Sequence, residues 1–239
     1  MQKINYLLGF PHLKIYQNEE WFKFSIDSVL LPNFLKIKKD TKTILDIGTG
    51  NAVIPILLST KTKVPILGVE IQKDVYELGK LSIYENKLEE QISIICEDIK
   101  EYTKRQESDC FDLITCNPPY FKMNENSNIN EDIHKQYARH EISLNLDTLM
   151  LCSRKLLKNG GSLSIVHRPE RLMEILMCAK KNNLEPKRIQ FVYPKKGKEA
   201  NIILLEFVKN GRDGLKIEEP LYIYNEQGEY TEEIQKNFS

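Results

Sequence analysis

The sequence predicts an α/β protein with a mostly parallel β-sheet and helices on both of its faces. Three observations carry this. From Thr43 onward, short apolar runs alternate with segments of helical spacing, the pattern of strands joined by crossover helices. The first run ends in DIGTGNAV, a glycine-rich turn that leads at once into a helix. Near the end, RIQFVY and NIILLEFV follow one another with only PKKGKEA between them. They are expected to form an antiparallel pair at the sheet edge.

In order, TILDI reads as a short apolar strand and AVIPILLSTK as the helix after it. PILGVE is a second strand, and DVYELGKLSIYENK repeats apolar residues at three and four. QISIIC, a short helix around IKEYTK, and FDLIT continue the alternation. A polar segment, 123–140, follows, and then LDTLMLCSRKLL, a helix that Asn159, Gly160 and Gly161 are placed to cap. SLSIVH is a strand and RLMEILMCAKKN a helix. Residues 1–42 read as an N-terminal extension, with a hairpin over HLKIYQNEEWFKFS and a helix over SIDSVLLPNFLK. Residues 211–239 are polar and read as a loosely packed tail.

Composition narrows the function classes. The 239 residues suit one large domain, and the 41% hydrophobic share fills a core. Net charge is zero, so any nucleic-acid site must be a local patch. The five cysteines are odd in number and form no C-x-x-C pair. That pattern fits free thiols in a reducing cytoplasm and no metal site. No signal peptide or membrane span is read, since no stretch approaches 18 apolar residues.

In an open α/β sheet, ligands bind beyond the carboxyl ends of the strands. There stand Asp46, Gly48 and Gly50 of DIGTG, and the glycines let the backbone approach a ligand closely. A dinucleotide fingerprint wants a third glycine where Val53 stands. An acidic residue before two glycines fits instead the cradle for the methionine part of S-adenosylmethionine. Glu70 closes the second strand, 20 residues after Gly50, where a carboxylate accepts from both ribose hydroxyls. Asp98 is placed to accept from an adenine amine. A helix N-cap or a solvated loop carboxylate remains the alternative for both.

CNPPYFK, 116–122, ends the strand FDLIT. Two prolines stiffen the chain where it leaves the sheet. They hold an amide, Asn117, and a phenol, Tyr120. The lone pair of an exocyclic or amide NH2 is delocalised, so the group is a poor nucleophile. The Asn117 oxygen and the Pro118 carbonyl can accept its two hydrogens and orient it, while Tyr120 stacks on the planar substrate.

With those residues in view, the chain resembles the Rossmann-like class I methyltransferases that use S-adenosylmethionine and carry N-P-P-Y, over about residues 20–210. More closely it resembles the tRNA adenine-N6 methyltransferases that modify the adenine 3′ of the anticodon in a valine tRNA. FKFSIDSVLLPNFL, DIGTGNAVIPILLS, NPPYFK and ARHE (138–141) carry the closer likeness. The resemblance implies a seven-stranded sheet over 43–210 and S-adenosylmethionine as cofactor, with no metal. It places Asp46, Gly48, Gly50, Glu70, Asp98 and Asp27 on the cofactor. It places Asn117, Pro118 and Tyr120 on the target adenine, with Pro119 and Phe121 beside them. Phe24, Ser25 and Asp27 of the extension are expected to close over the cofactor. The family's third loop glycine is Ala52 here.

Other substrates of such a site are a glutamine amide of a protein or an amine in rRNA. The glutamine enzymes carry a helical domain ahead of the glycine loop, and the 45 residues before Asp46 are expected to be too few for it. A different class of reading, an RNA-binding scaffold without catalysis, sits poorly with an intact N-P-P-Y. For tRNA contact, Lys195 and Lys196 in YPKKGKEA and Arg139 and His140 after the polar loop are the candidates. Residues 122–140 are expected to order on RNA binding. The expected particle is a cytoplasmic monomer.

Overall fold

The computed structural model describes residues 2–7, 10–18, 26–118 and 144–236. Two strands, β1 (Gln2–Leu7) and β2 (Phe10–Asn18), pair antiparallel as a separate hairpin. The hairpin expected over HLKIYQNEEWFKFS falls partly outside the described residues, and its first half, up to Asn18, pairs instead with β1. Helix α1 (Asp27–Phe34) follows, with Pro32 inside it.

The main sheet is built from β3 (Ile44–Ile47), β4 (Ile66–Glu70), β5 (Ile92–Cys96), β6 (Phe111–Cys116), β7 (Leu157–His167), β8 (Leu184–Tyr193) and β9 (Ile202–Lys209). Two two-residue strands, β10 (Lys216–Ile217) and β11 (Leu221–Tyr222), extend it beyond the expected seven. The order is β10-β8-β9-β7-β6-β3-β4-β5, with β11 also on β8. Pairing is parallel from β5 across to β7. The antiparallel member is β9, which sits one place in, between β7 and β8.

The helices divide between the two faces because the strand residues alternate. On β3, Ile44 joins one core with α1, α2 (Val53–Ser59), α3 (Lys73–Glu85) and the hairpin. Leu45 and Ile47 join the other with α4 (Ile99–Arg105), α5 (Leu146–Leu156) and α6 (Leu172–Lys181). The hairpin is fastened edge-on to α3. Tyr16 N donates to Ser82 Oγ at 3.0 Å, and Lys14 N to Asn86 Oδ1 at 3.0 Å.

Two expectations are corrected. Residues 211–236 are not a loose tail. Leu221, Ile223 and Ile234 of the last helix, α7 (Glu232–Lys236), are buried in the first core. A polar sequence hid this because three apolar residues suffice to dock so short a segment on β8. Nor do Asn159–Gly161 cap α5, which ends at Leu156. They fall in the irregular start of β7, where the register with β6 shifts. A side chain on Gly161 would meet the Asp112 carbonyl at 3.0 Å, so close backbone approach is what the glycine serves.

This topology places the site. Strand β3 has β4 on one side and β6 on the other, so strand order reverses between β3 and β6. That is the switch point at which open α/β sheets bind ligands. The glycine loop leaves the carboxyl end of β3, and Asn117 leaves the carboxyl end of β6.

Candidate active site

Asp46 lies on β3 directly opposite Thr115 of β6. It is fully buried, and its Oδ1 accepts from the Thr115 hydroxyl at 2.6 Å. The other carboxylate oxygen, Oδ2, has no hydrogen-bond partner. Burial pushes this carboxyl up to about 7, with the Thr115 hydroxyl pulling against the rise and Glu70 adding to it. A buried oxygen is rarely left without a partner, and Asp46 Oδ2 stands at the head of the glycine loop, at the end of the sheet where ligands bind.

The loop itself turns through Gly48 and Gly50 at φ +67° and +60°, in the left-handed region glycine favours. A side chain on Gly50 would meet nothing within 4 Å, so the backbone borders open space. Glu70, 2% exposed, holds the loop: its Oε2 accepts from Gly50 N at 2.9 Å and its Oε1 from Gln72 N at 2.8 Å. The carboxylate thus braces two backbone turns and keeps lone pairs for a ligand hydroxyl. Asp98 caps α4, accepting from Lys100 N at 2.8 Å, and pairs with Lys100 Nζ at 3.3 Å. Its N-cap role is real, and it still stands near Glu70, because Glu97 N donates to the Glu70 carbonyl at 2.9 Å.

Asn117 is half-buried, and its Nδ2 donates to Ser28 Oγ on α1 at 3.0 Å. Pro118 beside it is buried. Asp27, at the start of the same helix, is 3% exposed. Asp46, Gly48, Gly50, Glu70, Asp98, Asn117 and Pro118 thus gather at the carboxyl ends of adjacent strands, with Asp27 brought in by α1. Phe24, Ser25, Pro119, Tyr120, Phe121, Arg139, His140 and the loop 122–140 lie outside the described residues.

Lys195 and Lys196 are exposed on the loop after β8, at this same end of the sheet. Tyr193 at the end of β8 packs against Tyr222 of β11, the rings tilted by 31° with 5.4 Å between their centres. Four further lysines, Lys36, Lys38, Lys39 and Lys42, precede β3 and lie at the opposite end, where Lys38 Nζ donates to the Gly160 carbonyl. Arg188 is held by Glu206 and Glu218 within the fold.

Sequence reasoning missed Thr115 and Ser28. For Thr115 the signal was a hydroxyl inside an apolar strand, one strand over from an aspartate. Ser28 gave none, because its partner is 89 positions away.

Among the described residues, no group of three His, Cys, Asp or Glu is placed to hold a metal. None of their helices is long and apolar enough to cross a membrane.

The methyltransferase small domain family matches residues 23–187. A tRNA1(Val) (adenine(37)-N6)-methyltransferase of Tolumonas auensis is 30% identical over 198 residues, 82% of this chain and 80% of its own. The protein of that name in Phocaeicola vulgatus is 27% identical over 227 residues, 93% and 94% of the two chains. Among solved structures, one described as a predicted O-methyltransferase from Agrobacterium tumefaciens superposes with a TM-score of 0.72 at 17% identity, covering 89% of this chain and 95% of its own. Geranyl diphosphate C-methyltransferase from Streptomyces coelicolor gives 0.56 at 11% identity, covering 76% and 79%. These two likenesses speak for the fold. With the glycine loop, Glu70 and Asn117 together at one switch point, the chain belongs to the methyltransferase small domain family and, within it, to the tRNA adenine-N6 methyltransferases.

Proposed function

We propose that this protein methylates the exocyclic N6 of an adenine in tRNA, the one beside the anticodon of a valine tRNA, using S-adenosylmethionine. The observation that carries the reading is the placement of Asn117. Its amide stands at the end of β6 with its nitrogen held by Ser28, beside the loop that Glu70 braces on the neighbouring strand.

The cofactor residues fit the group. Asp46 Oδ2, unsatisfied and buried, suits the amino-acid ammonium, and Glu70 suits the ribose hydroxyls. Ile71, 40% exposed next to Glu70, offers apolar surface to the adenine, with Asp98 nearby for its amine. When bound, S-adenosylmethionine supplies an electrophilic methyl group on sulfur.

The chain's own part is to orient the nucleophile. The Asn117 oxygen and the Pro118 carbonyl accept the two N6 hydrogens, which turns the lone pair toward the donor. Tyr120 stacks on the flipped base. The product ammonium is acidic and yields its proton to water without an enzymatic base. Lys195 and Lys196, about three strand spacings from β6 and hence roughly 15 Å away, lie where flanking phosphates would run.

The test is incubation with methyl-labelled S-adenosylmethionine and total tRNA, followed by nucleoside analysis and sequencing of the labelled species. N6-methyladenosine in a valine tRNA is the expected product. Label in rRNA or in a protein instead would keep the chemistry and overturn the substrate. Asn117→Ala should bind cofactor normally and lose about 10²-fold or more in turnover. A near-native rate in that variant would remove Asn117 from the mechanism.

A further inference from the structure

We propose that Ser28 is a positioning residue for the transfer: its hydroxyl sets which way the Asn117 amide faces. This rests on the reading of Asn117 as the acceptor of the adenine amine.

An amide offers two donors on nitrogen and an acceptor on oxygen, and only the oxygen is useful to a substrate NH2. Turned over, the same group would set its own NH2 against the substrate's, donor against donor. The backbone at 116–118 fixes where the amide is but not which way round it sits, since rotation about its last side-chain bond exchanges the two ends. Ser28 Oγ accepts from Asn117 Nδ2 at 3.0 Å. Holding the nitrogen there leaves the oxygen on the other edge of the amide plane.

Ser28 is itself fixed. It is 7% exposed at the start of α1, and that helix is anchored at several points. Lys61 Nζ donates to the Pro32 carbonyl at 3.0 Å, and Arg188 Nη2 to the Phe34 carbonyl at 3.0 Å. Val29, Leu30 and Leu31 are all buried in the core beneath. The hydroxyl is therefore carried by a rigid element from outside the sheet, the arrangement a positioning contact requires.

Steady-state kinetics on Ser28→Ala, Ser28→Thr, Asn117→Ala and the Ser28→Ala/Asn117→Ala pair test this, with melting temperatures alongside. Ser28→Ala should lower kcat about 10-fold, as the amide loses the contact that keeps its oxygen toward the substrate. The KM for S-adenosylmethionine should stay close to that of the native protein, and the melting temperature should fall by no more than about 4 °C. Ser28→Thr, which keeps the hydroxyl, should recover most of the rate. In the Asn117→Ala background, Ser28→Ala should change nothing further, because the group it positions is gone. A native kcat in Ser28→Ala, or an equal fold-loss in both backgrounds, overturns the proposal. If Asn117→Ala itself keeps a near-native rate, the parent reading fails first, and that outcome is distinguishable from the other two.

Discussion

Thr115 and Asp46 face each other across β6 and β3, and the hydroxyl of the first donates to the carboxylate of the second at 2.6 Å. The strand that carries Asn117 is thereby tied to the strand that carries the glycine loop, at the level where both leave the sheet. The bond satisfies one carboxylate oxygen and leaves Oδ2 buried without a partner. Burial without that partner favours the neutral acid over the carboxylate.

The pH dependence follows from that. The Asp46 carboxyl is raised from 3.8 to about 7. A raised acid means the folded state holds its proton more tightly than the unfolded chain. The associated stability is complete below about pH 4 and is lost as pH rises toward 7. Between about pH 5 and pH 8, the melting temperature of the cofactor-free protein should fall. The fall should be smaller in Asp46→Asn, which has no proton to lose. Saturating S-adenosylmethionine should flatten the native curve, since its ammonium pairs with the ionised carboxylate. Parallel curves for the native protein and Asp46→Asn would contradict the assignment.

Ala52 sits at φ 68° and ψ 26°, in the left-handed region, and is fully buried. An L-residue there is disfavoured by about 1–2 kcal/mol, which is why glycine suits the position. Two effects oppose the strain. The buried methyl contributes about 0.8 kcal/mol, and glycine would add about 0.5–1 kcal/mol of unfolded-state freedom. These nearly cancel, so Ala52→Gly should leave stability within about 1 kcal/mol of native. Ala52→Val adds a β-branch at positive φ inside a packed loop and should cost about 2 kcal/mol or more. Chemical denaturation of the three proteins measures both. A large gain from glycine would show that the methyl has no useful contacts.

Much of this was legible because it is local. The strand–helix alternation after Thr43, the loop DIGTG and Glu70 at a strand end each depend on a handful of consecutive residues. N-P-P-Y announced its stiffness through its prolines. What the sequence concealed is long-range. The pairing of β1 with β2 is held by contacts far along the chain, such as Tyr16 N to Ser82 Oγ on α3. Ser28 reaches Asn117 only because α1 folds back over the sheet. Residues 211–236 looked expendable because their docking rests on Leu221, Ile223 and Ile234, spaced too widely to form a pattern.

Gly79 is on α3, with no ligand role of its own, yet it decides how close that helix comes to the glycine loop. A side chain there would meet the Gly50 carbonyl at 3.0 Å and Ile94 Cδ1 at 2.7 Å. The isoleucine end can rotate away, whereas the carbonyl belongs to the glycine loop. In helix propensity, Gly79→Ala gains about 1 kcal/mol. The variant should therefore fold with near-native stability but bind S-adenosylmethionine several-fold more weakly. Calorimetric titration set against thermal melting separates the two quantities. Unchanged affinity would mean that the loop shifts without consequence.

Arg188 holds α1 to the far side of the sheet. Its guanidinium pairs with Glu206 at 2.9 Å and Glu218 at 2.8 Å, donates to the Phe34 carbonyl at 3.0 Å, and lies 4.2 Å from the Phe34 ring centre. Hydrogen bonds from Lys216 and Arg188 hold the Glu218 carboxyl down to about 2. Only 11% of the Arg188 side chain is exposed, so little solvent is present to replace it. Removing it leaves Glu206 and Glu218 without the charge they share, with only the more exposed Lys36 and Lys216 near the second among the described residues. Breaking such a pair from one side costs about 3–5 kcal/mol, somewhat less here because the carboxylates are not fully buried. Arg188→Ala should lower stability by about 3 kcal/mol. Arg188→Lys should recover only part of this, since an ammonium cannot serve two carboxylates and a carbonyl in one plane. Because α1 carries Ser28 and Asp27, turnover should fall further than the loss of folded protein explains, even when assayed well below the melting temperature. A variant that is destabilised yet fully active per folded molecule would show that α1 keeps its place without this anchor.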